Sequence, residues 1–274
     1  MAAAPHRAAA PGGGLRGALR AWRARARERT RRRSLARAEA IRAAEIASVA
    51  PWLPAGTRVL EIGGGPGYQA SILASWGCQV RSIDVAPWPG PERYFPVDLY
   101  DGRHIPFPDA AFDVVYSSNA LEHIPAVEEF LTEARRVLAP EGRAVHLLPT
   151  PAWRFWTSAA HYVDAVVSLP ELAAGALLGG GRRTPARRGL LRRLVSPPPH
   201  GEYPSALSEL RYFSRRRWTR VFGATGFTVE EIRPGGLFYF SGCDFMPSLP
   251  VAARRVLSRV LGSACHVFVL RRAR

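Results

Sequence analysis

Three observations predict an α/β fold built on a doubly wound, mostly parallel sheet of seven strands. From Arg58 onward, short apolar runs alternate with amphipathic segments, the pattern of strands joined by helical crossovers. A glycine cluster at positions 63–67 follows the first apolar run directly, where a Rossmann-like sheet carries its ligand-binding turn. A hydrophobic content of 47% over 274 residues is ample for one packed core.

The elements follow in order. Residues 5–14 read as a flexible leader. Residues 15–49 read as one long, polar-faced helix, because Ala, Arg, Leu and Glu dominate and neither Pro nor Gly occurs beyond Gly17. Strands are expected at 58–62, 80–84, 94–97, 113–117 and 143–148, with helices at 68–76 and 127–138, the second ended by Pro140 and Gly142. The alternation stops at residue 151 and returns with a helix at 215–224 and strands at 227–232 and 265–270. Four regions result: an Arg-rich leader and helix (1–50), a first half of the sheet domain (51–150), an insertion or lid (151–204), and a C-terminal part (205–274).

Charge is unevenly placed. The net charge is +16, yet residues 1–45 hold 12 Arg against 3 acids and residues 181–195 hold 6 Arg and no acid, which leaves the remainder close to neutral. All 38 basic residues are arginine. That uniformity points to compositional bias rather than to a surface shaped for nucleic acid, so a nucleic-acid partner is not expected, although the Arg-rich segments could touch an anionic membrane. The absence of lysine excludes Lys bases, Schiff bases and the phosphate-loop lysine. Cys78, Cys243 and Cys265 lack metal or redox spacing, so reduced thiols, no metal site and a cytoplasmic location are expected. The acid-free, Arg- and Ala-rich residues 1–27 also fit a mitochondrial presequence, with the matrix as the alternative location. No membrane span is expected, because the most apolar stretch, 159–178, is broken by Asp164, Pro170 and Glu171.

The glycine turn satisfies two cofactor patterns. Gly65 to Ala70 fits the dinucleotide form G-x-G-x-x-A, and Glu61 to Gly67 fits E-x-G-x-G-x-G. Glu61 favours the second, because a carboxylate suits the ammonium and sulfonium of a methyl donor and repels a pyrophosphate. Asp84, at the end of the second strand, can accept hydrogen bonds from ribose hydroxyls, and Asp98 can accept from an adenine amino group.

Taken together, 59–67, Ser82-Ile83-Asp84-Val85, 105–115, Ser117 to Ile124 and 133–143 resemble the class I S-adenosylmethionine-dependent methyltransferases, in particular methyltransferase type 11 domains. The resemblance implies S-adenosyl-L-methionine as cofactor, with Gly63, Gly65 and Gly67 at its methionine part, Asp84 at the ribose, Asp98 and Leu99 at the adenine, and Ser118 and Asn119 lining the pocket. Residues 215–227, with Trp218, Phe222 and Gly226-Phe227, look like the family's final helix and strand entry. Glu141 departs from the glycine that many relatives carry before Gly142.

Methyl transfer from a sulfonium needs alignment first, and a base helps when the acceptor is a hydroxyl. His123, after the fourth strand, and His200 and Glu202, where the insertion rejoins the sheet, are the candidate catalytic residues; His146 and His161 rank lower. Trp153, Phe155, Trp156 and Tyr162 could wall an apolar acceptor or simply pack the insertion. Expected acceptors are a small molecule, a glycan or a lipid-linked intermediate, with O-methylation favoured. Two other readings stay open: a nicotinamide-dependent oxidoreductase, and a noncatalytic module binding RNA or membrane.

Overall fold

The structure is a computed structural model that describes residues 15–167, 197–241 and 249–273. Cys243, the 5–14 leader and the arginines at 182–193 lie outside the described residues. The chain divides into a unit of residues 1–39 and a unit of residues 40–274. In the first, helix α1 (Leu15–Ser48) begins, and Glu28 pairs with Arg31 at 2.9 Å and Arg32 at 2.7 Å on its surface. The last turns of α1 belong to the second unit, where Ile46 and Val49 become fully buried.

The second unit holds a seven-stranded sheet: β1 (Arg58–Ile62), β2 (Gln79–Asp84), β3 (Asp98–Leu99), β4 (Phe112–Ser118), β5 (Leu138–Pro149), β6 (Phe227–Pro234) and β7 (Cys265–Arg272). Its spatial order is β3-β2-β1-β4-β5-β7-β6, with β7 antiparallel to both β5 and β6. Helices α2 (Tyr68–Ser75), α3 (Val127–Val137), α4 (Pro151–Val167), α5 (Ala206–Tyr212), α6 (Arg215–Ala224) and α7 (Val251–Leu261) flank it.

Alternation along each strand divides the core between the two faces of the sheet. Leu60, Ile62 and Val115 pack with Phe130, Leu131, Trp218 and Phe222, whereas Val59, Val114, Tyr116 and Val145 pack with Ile46, Val49 and Leu73. At about 25 cal/mol per Å2 of apolar surface removed from water, these two layers dominate the stability of the fold.

Three boundaries differ from the sequence expectation. The third strand is residues 98–99, not 94–97, because Tyr94 N–H donates to the Pro66 carbonyl at 2.9 Å and draws its segment over the glycine turn instead of into the sheet. β5 starts at Leu138, so Pro140 and Gly142 lie inside a strand. The β4–β5 register shifts between Phe112 and Val114, and a Cβ at Gly142 would stand 2.8 Å from the Asp113 carbonyl oxygen, so the irregularity depends on glycine. The insertion opens on a regular helix, α4, whose first turn is capped by Thr150 Oγ1 accepting from Trp153 N–H at 3.0 Å. Among the described residues no helix is long and apolar enough to cross a membrane.

Candidate active site

The crossovers reverse between β1 and β4, and in an open α/β sheet the crevice at the carboxyl ends of those two strands is where ligands bind. After β1 the chain turns through Gly63, Gly65 and Gly67 with φ of +73°, +54° and +79°, a region costly for residues with a Cβ. Space also matters: a Cβ at Gly67 would lie 2.5 Å from the Phe95 carbonyl oxygen, and one at Gly63 would lie 2.8 Å from Ala120 Cβ. The glycines therefore let the loop touch both the segment before β3 and the loop after β4.

Asp84 holds this turn from the side. Its Oδ2 accepts from Gly65 N–H at 2.9 Å and its Oδ1 from Val85 N–H at 2.7 Å, and the residue stays partly exposed. Glu61 lies deeper. Its carboxylate accepts from Ser82 Oγ at 2.6 Å beneath Gly64, it is 3% exposed, and burial pushes its pKa up to about 7 despite the Ser82 hydrogen bond. The sequence expectation put Glu61 at the cofactor's cations; the structure puts it under the loop.

Beside Gly65 a cleft of about 480 Å3 is lined by Trp88, Tyr94, Phe95 and Leu99. Asp98 is exposed at β3 and its Oδ2 accepts from Arg81 at 2.5 Å, so any adenine amino group shares that carboxylate with Arg81. Trp88 and Phe95 were not singled out in the sequence, because the proline-rich 86–96 stretch carries no period that shows which side chains face a ligand.

The end of β4 carries a partly buried polar network. Asn119 takes φ +52°, tolerated best by Asn among side-chain residues, and its Nδ2 donates to Ser118 Oγ at 3.1 Å. Arg42 donates to Ser118 Oγ at 3.2 Å and to Glu45 Oε2 at 2.7 Å. Tyr239 donates to Glu45 as well, and Cys265 Sγ lies 3.3 Å from Asn119 Oδ1. Burial, and then the nearby Glu45 carboxylate, raise the Cys265 pKa well above the ordinary thiol value, which keeps the thiol neutral. Sequence reading had placed Arg42 and Glu45 in an extension; the only available signal was their position where α1 turns apolar at Ile46.

On the other side of the β4 loop, Glu122, His123 and His200 come together. Glu122 Oε1 lies 3.9 Å from both His123 Nε2 and His200 Nε2, and the imidazole rings meet edge to face at 4.6 Å. Burial raises the Glu122 pKa to about 8, lowers that of His123, and lowers that of His200 to about 4, the last helped by neighbouring His123. Near neutral pH both imidazoles are thus free of a proton on one nitrogen. Glu202 contributes its backbone, donating N–H to the Glu122 carbonyl at 3.1 Å, while its side chain is exposed. The residue that fixes the His200 loop is Glu209, whose Oε1 accepts from His200 N–H at 2.6 Å and Gly201 N–H at 2.8 Å. Arg154 pairs with Glu209 at 3.1 Å, with side-chain exposures of 2% and 0%. Trp153 packs on His200 at 4.6 Å, whereas Phe155 and Tyr162 point to solvent. His146 is buried in β5 against Ser117 Oγ at 2.8 Å and faces no site.

The reversed β7 between β5 and β6 departs from the all-parallel 3-2-1-4-5-6 order of dinucleotide-binding sheets. Sheet, glycine turn and acidic strand ends together define a methyltransferase-type α/β protein with a cleft at the β1/β4 switch point.

Comparison with known proteins agrees. A family model described as a methyltransferase domain matches residues 27–232. An uncharacterized methyltransferase of Mycobacterium avium (strain 104) is 32% identical over 179 residues, covering 62% of this chain and 64% of its own length. The 2-methyl-6-phytyl-1,4-hydroquinone methyltransferase of Synechocystis sp. is 38% identical over 101 residues, 33% of this chain and 31% of its own. The chain thus spans between about a third and two thirds of these curated relatives. By fold, it resembles 1,6-didemethyltoxoflavin-N1-methyltransferase of Burkholderia thailandensis, solved with 1,6-didemethyltoxoflavin and S-adenosylhomocysteine, at TM-score 0.50 and 15% identity over 99% of this chain and 95% of that one. The chain belongs to the class I S-adenosylmethionine-dependent methyltransferase family.

Proposed function

We propose that this methyltransferase transfers the methyl group of S-adenosylmethionine to an oxygen of a small-molecule, glycan or lipid-linked acceptor. The observation that carries the reading is the convergence of the Gly63–Gly67 turn, Asp84 and the Ser118-Asn119 loop at one switch point, with a polar cluster on its open side.

In this reading the backbone at Gly63, Gly65 and Gly67 approaches the methionine part, and Asp84 takes the ribose hydroxyls. Asp98 and Leu99 edge the adenine. Ser118 and Asn119 line the pocket, and Arg42 offers its guanidinium to the methionine carboxylate. Glu61 works from below by holding the loop through Ser82. The acceptor approaches from the side of Glu122, His123 and His200, and that cluster eases the loss of the hydroxyl proton. Glu202 stands at its rim. The bound cofactor would supply an electrophilic methyl group on a sulfonium that departs as a neutral thioether, and the chain's own part would be to align the acceptor oxygen with that methyl group and keep water away.

The hydroquinone named for one relative and the 1,6-didemethyltoxoflavin bound in the structural neighbour support a small molecule. Free Cys78 and Cys265 suit a reducing, cytoplasmic setting. Should the acceptor be lipid-linked, the Arg-rich segments would meet anionic headgroups. The test is calorimetric titration with S-adenosylhomocysteine, followed by incubation with methyl-labelled cofactor and fractionated extract. Micromolar binding and label in a small-molecule or lipid fraction are expected; label only in RNA, or binding of a reduced nicotinamide cofactor instead, would replace this reading.

A further inference from the structure

We propose that Glu122, His123 and His200 form a binding site for a divalent first-row transition-metal cation at the acceptor side of the cleft. The three side chains each present one ligand atom, and these atoms lie within 4.8 Å of one another.

Glu122 supplies the first argument. Its side chain is fully buried, and neither carboxylate oxygen has a hydrogen-bond partner. Buried polar atoms are nearly always satisfied, so a carboxyl group left without a partner at the focus of a site calls for one from outside the chain, and a cation can take the place of the carboxyl proton. The second argument is spacing. His123 Nε2 and His200 Nε2 stand at the same 3.9 Å from Glu122 Oε1, too far for a hydrogen bond. An ion bonded at about 2.1 Å keeps its ligands within about 4 Å of one another, so a small inward rotation of the rings closes the site.

Support around the ligands is the third argument, because metal-binding side chains are normally oriented by a second layer of contacts. Trp153 packs on the His200 ring, the Glu209 carboxylate grips His200 N–H and Gly201 N–H, and Arg154 anchors Glu209. Glu202 N–H donates to the Glu122 carbonyl, and a Cβ at Gly201 would fall 2.4 Å from that oxygen, so glycine is what lets the two loops close. These contacts bring together residues from two distant stretches of chain.

Two imidazoles and one carboxylate suit Zn2+, Co2+ or Fe2+ better than Ca2+ or Mg2+, which prefer oxygen ligands. His123 keeps 42% and His200 33% of its side chain exposed, so the remaining coordination positions face water. An acceptor hydroxyl can take one of them. Held by Glu122, His123 and His200, such an ion would supply Lewis acidity that lowers the pKa of an acceptor hydroxyl beside it. The inference deepens the acceptor-side reading above, but binding of the cation is measurable without turnover.

The experiment uses the full chain stripped with a chelator, then titrated with Zn2+ by calorimetry and with Co2+ by visible absorption. One equivalent per chain is expected, with the absorption of a cobalt–imidazole site. His200→Ala and Glu122→Gln should each weaken Zn2+ binding at least tenfold, whereas Glu202→Gln should not. S-adenosylhomocysteine affinity, read on the same samples, should be unchanged in the His200 variant, which also reports that the fold is intact. Failure of the wild-type chain to bind one equivalent, or affinity that persists in His200→Ala and His123→Ala, would overturn the site. Loss of homocysteine-product binding with metal binding retained would instead count against the cofactor assignments.

Discussion

Glu61 and Asp84 show how two carboxylates at the ends of neighbouring strands take different work from their surroundings. Asp84 remains at the surface of the turn with its oxygens on Gly65 and Val85 N–H; replacing it with Asn removes charge-assisted hydrogen bonds, and S-adenosylhomocysteine affinity should fall about 10- to 100-fold by calorimetry. Glu61 is buried, and its pKa rises from 4.5 to about 7. The folded state therefore holds a proton that the unfolded state has released between those values, so this group's contribution to stability is full below about pH 4.5 and is lost as pH rises through 7. The fall is of order 3 kcal/mol in the cofactor-free protein. Glu61→Gln should flatten the pH dependence of the melting temperature between pH 5 and 8; an unaltered slope would show that Glu61 does not titrate there. Both acids were visible in the sequence as strand-end residues, but only burial separates the one that faces the cleft from the one that supports it.

Among the elements, the segment before α5 shapes the side of the cleft proposed for the acceptor. The segment before α5 is pinned by Glu209, which carries no sequence signal beyond being an acid in a short helix, while the nearer and more conspicuous Glu202 points to solvent. Breaking one partner of the buried Arg154–Glu209 pair leaves an uncompensated charge, at a cost of about 3–5 kcal/mol. Glu209→Ala should lower the urea midpoint accordingly and reduce methyl transfer more than cofactor affinity; equal losses in both would argue for a general unfolding effect. The 94–97 segment teaches the converse. Its apolar run looks like a strand, and the Tyr94–Pro66 hydrogen bond makes it a wall of the cleft beside Gly65 instead, because a local pattern cannot register which neighbour will offer an acceptor first.

For the whole molecule, the division at residue 39 assigns most of the arginine excess to the first unit. Removing residues 1–39 should leave S-adenosylhomocysteine affinity within about threefold and sharply reduce salt-dependent retention on an anionic resin; loss of cofactor binding would tie that segment to the site. The sequence by itself determined the fold class, the position of most strands along the chain and the cofactor, because alternating periods, a glycine turn and acids at strand ends are local patterns imposed by backbone geometry. Tertiary structure alone decided that β7 runs antiparallel between β5 and β6, that Arg42 and Glu45 join Ser118 in one network, and that Glu122, His123 and His200 share a focus. These are relations between residues far apart in the chain, set by which buried groups can satisfy one another once the two faces of the sheet are covered.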